Sequence, residues 1–303
     1  MSAIAPVMVS APASRLATAS PPATASDIPQ PILRLIGVSK TFNGLTGTLE
    51  ALQPVHLDVR AGEFVCLLGP SGCGKSTLLN LVAGLEAPTT GQVIANGKPV
   101  TGPGPDRALI FQDGALFPWL DVRGNVEFGL RQAGLSKHER RRIAQRWIDA
   151  VHLSGFERSF THELSGGMRQ RVAIARALAI DPDILLMDEP FGALDAMTRD
   201  LMHRELEGLW QTTRKTVLFV THNVREAVAL GDRVLVLAPR PGRIIAEFVI
   251  DLPRPRSLED HGLVDQARRI TAVLRESSAE GHQTFGQASG APAFLPADAL
   301  ANK

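Results

Sequence analysis

The sequence predicts an α/β fold, a mainly parallel sheet whose chain is interrupted by a helical insertion. Three observations predict it. Short apolar runs recur at residues 63–68, 184–187, 217–220 and 234–237, which suits buried strands. Helical patterns separate the later runs, as a parallel sheet requires. From about 113 to 180 the texture becomes helical throughout.

Taken in order, residues 1–30 are rich in Ala, Pro, Ser and Thr and read as a disordered extension. They lack a basic start followed by an apolar block, so they do not read as a secretory signal. Folded patterning begins near Ile32, with 32–38 and 55–59 alternating as strands. The run at 63–68 leads at once into a glycine-rich turn and a helix over 75–83. That strand, loop, helix order is what a phosphate-binding loop needs. Residues 92–95 and 108–111 read as further short strands. In the insertion, helices are expected over 122–133, 137–151 and 168–179. The second carries His138, Glu139, Arg140, Arg141 and Arg142, a solvated face. Helices over 196–213 and 224–229 separate the returning strands, and another is expected over 263–276. Residues 277–303 read as loosely structured.

A chain of 303 residues has room for one large domain or two small ones. Its 32 basic and 31 acidic side chains leave a net charge of +1, without the basic excess that a nucleic-acid partner calls for. No stretch approaches the roughly 18 to 20 apolar residues that span a bilayer, so any membrane role must come through a partner. The two cysteines, Cys66 and Cys73, read as reduced thiols of a cytosolic protein.

Residues Gly69-Pro70-Ser71-Gly72-Cys73-Gly74-Lys75-Ser76-Thr77 fit G-x-x-x-x-G-K-[ST]. Glycines let the backbone turn sharply and converge its N–H groups on an anion. The helix that follows adds its positive N-terminal end. Lys75 can reach the β and γ phosphates, and the Ser76 hydroxyl can ligate Mg²⁺. At the end of the run 184–187 stand Asp188 and Glu189. Asp188 is placed to bind Mg²⁺ beside the phosphates, and Glu189 to polarise an attacking water. Ser165-Gly166-Gly167 precedes a strong helical pattern, with Ser165 as an N-cap and the glycines permitting close backbone approach. This makes a second anion cradle in a chain with one acidic pair, which a site shared between two copies would resolve.

Together these residues resemble the nucleotide-binding subunits of ABC transporters. Leu164-Ser165-Gly166-Gly167-Met168-Arg169-Gln170-Arg171 resembles the signature motif, the phosphate loop its Walker A motif, and residues 184–189 its Walker B motif. Gln112 resembles the Q-loop glutamine, Gly192-Ala193-Leu194-Asp195 the D-loop, His222 the switch histidine, and Phe42 the aromatic that stacks on adenine. The resemblance spans residues 32–256 and implies a P-loop NTPase core with a mainly parallel sheet, an N-terminal antiparallel β subdomain and an inserted α-helical subdomain over about 113–180. The ATPase domain is thus expected over 31–256, followed by a partly helical tail over 257–303. The implied cofactors are ATP and Mg²⁺. Gln112 joins Ser76 and Asp188 around the metal, His222 joins Glu189 and Lys75 at the γ-phosphate, and Asp195 organises the interface between copies.

Finer resemblances point to one branch. Phe117-Pro118-Trp119 after Gln112, Arg240-Pro241-Gly242-Arg243-Ile244 and Asp251-Leu252-Pro253-Arg254-Pro255-Arg256 look like importers of the nitrate, sulfonate and taurine group. Exposed Phe117 and Trp119 would meet a membrane permease. The implied partners are a second copy, closing head to tail, an integral membrane permease and, indirectly, a periplasmic binding protein. The implied location is the cytoplasmic face of the inner membrane. The sequence departs from this group at its ends. It also contains no tyrosine, so Phe42 fills a position where Tyr is common. A soluble ABC-type ATPase without a transporter is the alternative, and the single cassette without a long heptad run speaks against it. A nucleotide-binding scaffold without catalysis is a third reading, opposed by Glu189 and His222.

Overall fold

The computed structural model describes residues 30–44 and 47–286. The expected disordered extension, all but Gln30, and the end of the tail lie outside the described residues. Two sheets form. In the first, β1 (Leu33–Gly44) pairs antiparallel with β2 (Gly47–Val59) and with β4 (Thr90–Ala95), and β5 (Lys98–Pro99) completes the order β2-β1-β4-β5. Both long strands run beyond the alternating segments read from sequence. Bulges between Leu35 and Thr41 shift the register, so simple alternation fails along β1 while pairing continues.

The second sheet has the order β10-β9-β3-β8-β7-β6. Strands β3 (Phe64–Leu68), β6 (Arg107–Ile110), β7 (Ile184–Asp188), β8 (Thr216–Thr221) and β9 (Arg233–Ala238) are mutually parallel where they pair. Strand β10 (Arg243–Val249) adds antiparallel to β9 at the edge. The sequence reads 240–244 as a turn only. The chain leaves that turn as an edge strand in which the apolar residues Ile244, Ile245, Ala246, Phe248 and Val249 are interrupted by Glu247 and none is fully buried.

The parallel strands are apolar through their middles because both faces are covered. Phe64, Cys66 and Leu68 enter one core, and Val65 and Leu67 the other. Leu185 and Met187 join the first, Ile184 and Leu186 the second. Each such buried side chain contributes about 2 kcal/mol of transfer free energy. Helix α1 (Lys75–Ala83) and the antiparallel sheet cover the second core. The first is covered by α2 (Val122–Gln132), α3 (Lys137–Ala150), α4 (Gly166–Ala179), α5 (Ala196–Thr213), α6 (Val224–Leu230) and α7 (His261–Gly286). Helix α7 docks through Leu263, Ala267 and Ile270, a spacing that puts all three on one face.

Register then places the chemistry. Leu68 pairs with Thr221, Asp188 with Val220, and Ile110 with Met187. The C-terminal ends of β3, β8, β7 and β6 therefore lie side by side, where parallel sheets form their ligand crevices.

Candidate functional site

Strand β3 delivers the chain straight into the phosphate loop. Gly72 and Gly74 adopt φ of 75° and 88°, a region that residues with a Cβ avoid. Gly74 precedes α1 and offers no side-chain cap, which leaves the first-turn N–H groups to an anion. Lys75 is buried, and its ammonium donates to Gly69 O at 2.8 Å and Pro70 O at 3.0 Å. It also stands 3.7 Å from Glu189 Oε1.

At the end of β7, Asp188 accepts a hydrogen bond from Ser76 Oγ at 3.1 Å. Burial pushes the Asp188 carboxyl above the usual carboxylate range, the Ser76 hydrogen bond opposes this, and the Glu189 charge adds to it. Glu189 turns the chain with φ of 42° and donates its N–H to Val220 O. Its Oε2 lies 2.8 Å from His222 Nδ1. His222 is steadied from behind: the adjacent Thr221 hydroxyl donates to buried Glu226, which also bonds His203 Nε2 at 2.6 Å.

These parts meet in one cleft of about 460 Å³. Phe42, Ser71, Gly72, Gly74, Lys75, Ser76, Thr77, Gln112, Asp188 and Glu189 line it. His222 lines a smaller adjoining cavity that shares Glu189. The donors Asp188 carboxylate, Ser76 hydroxyl and Gln112 amide are hard oxygens, the set that Mg²⁺ takes. Three residues of the expected cradle stay behind the cleft. Gly69 and Pro70 present carbonyls to Lys75, and Cys73 is fully buried under the loop. A Cβ on Gly69 would stand 2.7 Å from Cys73 Sγ, so the packing there requires glycine. Both cysteines are free thiols.

The second cradle is built but lies outside the cleft of its own chain. Ser165 caps α4 by accepting from Met168 N at 3.2 Å. A Cβ on Gly167 would stand 2.8 Å from Thr198 Cγ2, so α4 starts pressed against α5. Asp195 spends its carboxylate capping α5, accepting from Thr198 N at 3.0 Å and Thr198 Oγ1 at 2.7 Å. Those bonds hold it below the usual range.

The loop after Gln112 corrects one expectation. Trp119 is 69 % exposed, but Phe117 is half-buried, packed on Phe128 with ring centroids 4.3 Å apart. Asn125, which sequence reasoning missed, organises the loop. Fully buried, it accepts from Phe117 N and donates to the carbonyls of Phe117, Leu120 and Asp121. Arg176 of α4 donates to Gly114 O and Ala115 O and ties the loop to the helix behind the second cradle. Arg240, Leu49, Glu50 and Ala51 also line the cleft and were missed. Only the sheet order, with β9 beside β3, brings Arg240 there.

A mixed sheet with a glycine cradle, a hydroxyl–carboxylate pair and a carboxylate–histidine pair at its strand ends defines a phosphate-loop nucleotide hydrolase. The ABC transporter family pattern matches residues 52–192. A nitrate import ATP-binding protein of Synechocystis sp. is 50 % identical over 221 residues, 73 % of this chain and 83 % of that protein. A taurine import ATP-binding protein of Burkholderia pseudomallei is 49 % identical over 249 residues, 77 % of this chain and 96 % of that protein. A dimeric, post-hydrolysis ATP-binding cassette bound to ADP and Pi superimposes with a TM-score of 0.66 at 34 % identity, covering 73 % of this chain and all of the other. The chain belongs to the ATP-binding subunits of ABC transporters. Among the described residues no helix is long and apolar enough to cross a membrane.

Proposed function

We propose that two copies of this chain hydrolyse MgATP to drive uptake of a small anion or sulfonate, such as nitrate, an aliphatic sulfonate or taurine, through a separate permease. One observation carries the catalytic part: Glu189 is held between Lys75 at 3.7 Å and His222 at 2.8 Å, beside the Ser76–Asp188 pair. In this reading, Phe42 stacks on adenine and the glycine cradle binds the phosphates through its amides. Lys75 leaves the carbonyls of Gly69 and Pro70 to meet the β and γ oxygens. Ser76, Asp188 and Gln112 would hold Mg²⁺, which neutralises phosphate charge when bound. Glu189 accepts a proton from the attacking water while its oxygen joins the γ-phosphorus and the bond to ADP breaks. His222 orients Glu189 and donates to the γ-phosphate.

Ser165, Gly166 and Gly167 then cap the nucleotide held by the other copy. Closure is passed on through Arg176 to the Trp119 loop, which grips the permease on the cytoplasmic face of the membrane. A periplasmic binding protein delivers the cargo. The names of the nitrate and taurine import relatives support this cargo class. The test is reconstitution of the chain with its permease in vesicles, with loaded binding protein outside. ATP-dependent uptake of nitrate, taurine or an aliphatic sulfonate is expected. Phosphate release with no permease associating would favour the soluble ATPase instead, and no phosphate release would overturn the catalytic assignment.

A further inference from the structure

The turn between β9 and β10 has no part in the mechanism above, yet it forms a wall of the nucleotide cleft. Gly242 fixes it there. Its N–H donates to Ala51 O at 3.1 Å and its carbonyl accepts from Gln53 N at 2.8 Å. A Cβ at Gly242 would fall 2.2 Å from Cys73 O and 3.0 Å from Ala51 O. The turn is thus wedged between β2 and the backbone of the phosphate loop itself. Two residues earlier, Arg240 lines the cleft. Its Nη2 lies 3.2 Å, and its Nε 3.5 Å, from the place a Cβ would take on Gly72. The side chain is exposed and, among the described residues, makes no hydrogen bond or ion pair, not even with Glu50 across the cleft. A free guanidinium held against an anion cradle has all its N–H donors available for a phosphate oxygen pair.

We infer that Arg240 is a further nucleotide-binding residue, whose guanidinium holds phosphate oxygens that ATP and ADP share. The division of labour follows from the two cations. Lys75 is paired with Glu189 and so serves the hydrolytic end. Arg240 reaches the cradle at Gly72 and, among the described residues, makes no hydrogen bond or ion pair with Asp188 or Glu189, so it serves the non-terminal phosphates. The inference rests on the proposed ATPase reading.

The test is equilibrium binding of ATP and of ADP to the full chain, comparing wild type with Arg240→Met, Arg240→Lys and Lys75→Ala. Arg240→Met should raise Kd for ATP and ADP alike, by about tenfold, and flatten the dependence of Kd on salt. Arg240→Lys should restore part of the affinity. Because the side chain is exposed, the melting temperature without nucleotide should not move. Unchanged Kd values in Arg240→Met, alongside lost affinity in Lys75→Ala, would overturn this inference and leave the ATPase reading standing. Loss for ATP with none for ADP would overturn the assignment to shared phosphates. A wild-type chain with no affinity for either nucleotide would sink both.

Discussion

Replacing Glu189 by Gln separates the two things the cleft does. The amide has the size of the carboxylate and the same tolerance for the positive φ of 42° at this position. A hydrogen bond to His222 survives once the ring adopts the matching tautomer. What is lost is the charge and the base. The charge lies 3.7 Å from the Lys75 ammonium. At an effective dielectric of 20, two unit charges at that distance attract by roughly 4 kcal/mol before desolvation and water screening, which leave about 1 kcal/mol. That energy holds Lys75 away from a bound phosphate. Its removal should leave Kd for ATP unchanged or lower it by up to about fivefold. The loss of the base should reduce turnover by about 10²- to 10⁴-fold. Single-turnover phosphate release, measured beside ATP binding on the same preparation, reads both effects. A variant that hydrolyses ATP at the wild-type rate would refute Glu189 as the base. A variant that loses ATP affinity tenfold would refute the electrostatic account of its pairing with Lys75.

Three further outcomes are expected. The raised pKa of Asp188 means that the folded chain takes up a proton at higher pH than an ordinary aspartate does. Mg²⁺-dependent ATP binding should therefore fail on acidification while ordinary carboxylates are still ionised. By the same sign, the nucleotide-free fold loses stability as pH rises from the ordinary aspartate value through the folded one, and Asp188→Asn abolishes that slope. A binding midpoint at the ordinary value in a pH titration would contradict this. Arg256 is buried and donates to the carbonyls of Val228, Gly231, Ile250 and Leu252, which locks the segment after β10 onto the end of α6. Burial and the neighbouring Arg254 charge push its pKa down to about 10, so it is a cation at neutral pH. Arg256→Met should destabilise the chain by about 3 kcal/mol, seen as a melting temperature lower by about 10 °C; a shift under about 2 °C would show that water replaces those bonds. Trp119→Ser should leave melting and basal ATP hydrolysis unaltered and reduce stimulation by the permease. Full coupling in vesicles would rule the Trp119 loop out of the contact.

The parts of the fold that sequence made legible are those where one physical demand acts on adjacent residues. Phe64 to Leu68 must be apolar because each residue faces one core or the other, and the run ends where Gly69 is needed against Cys73 Sγ. That Lys75, Ser76, Asp188 and Glu189 gather in one cleft was legible because backbone and side-chain chemistry are coupled within a few positions. The illegible parts depend on distant strands meeting. Arg243–Val249 is largely apolar, but Glu247 breaks the run and the preceding Arg240-Pro241-Gly242 reads as a turn, so nothing local marks its pairing with β9 at the sheet edge. Arg240 is a cleft residue only because β9 lies beside β3, a fact of strand order. Phe117 read as exposed because its partner, Phe128, stands on a helix eleven positions later whose facing cannot be fixed without Asn125 pinning the loop.

The position of the second cradle carries the strongest structural argument for a shared site. Ser165 to Gly167 are not free to swing toward the cleft of their own chain. Arg169 holds Leu164 O at 2.5 Å, Thr198 fills the space beside Gly167, and Asp195 fixes Thr198 in turn. The start of α4 and the start of α5 are therefore one packed unit. Next to it, Met197 is 85 % exposed and Leu201 42 % exposed. An apolar pair displayed beside the α4 N-terminus, where Ser165 caps only Met168 N, is costly to leave in water, and gains a purpose if another copy covers it. Under that closure the amides of Gly166 and Gly167 complete a phosphate site that the first cradle leaves open on one side. The nucleotide then becomes part of the contact between copies. In the proposed closure its terminal phosphate would be the group both cradles hold, so its hydrolysis would weaken the contact directly, with no separate release device.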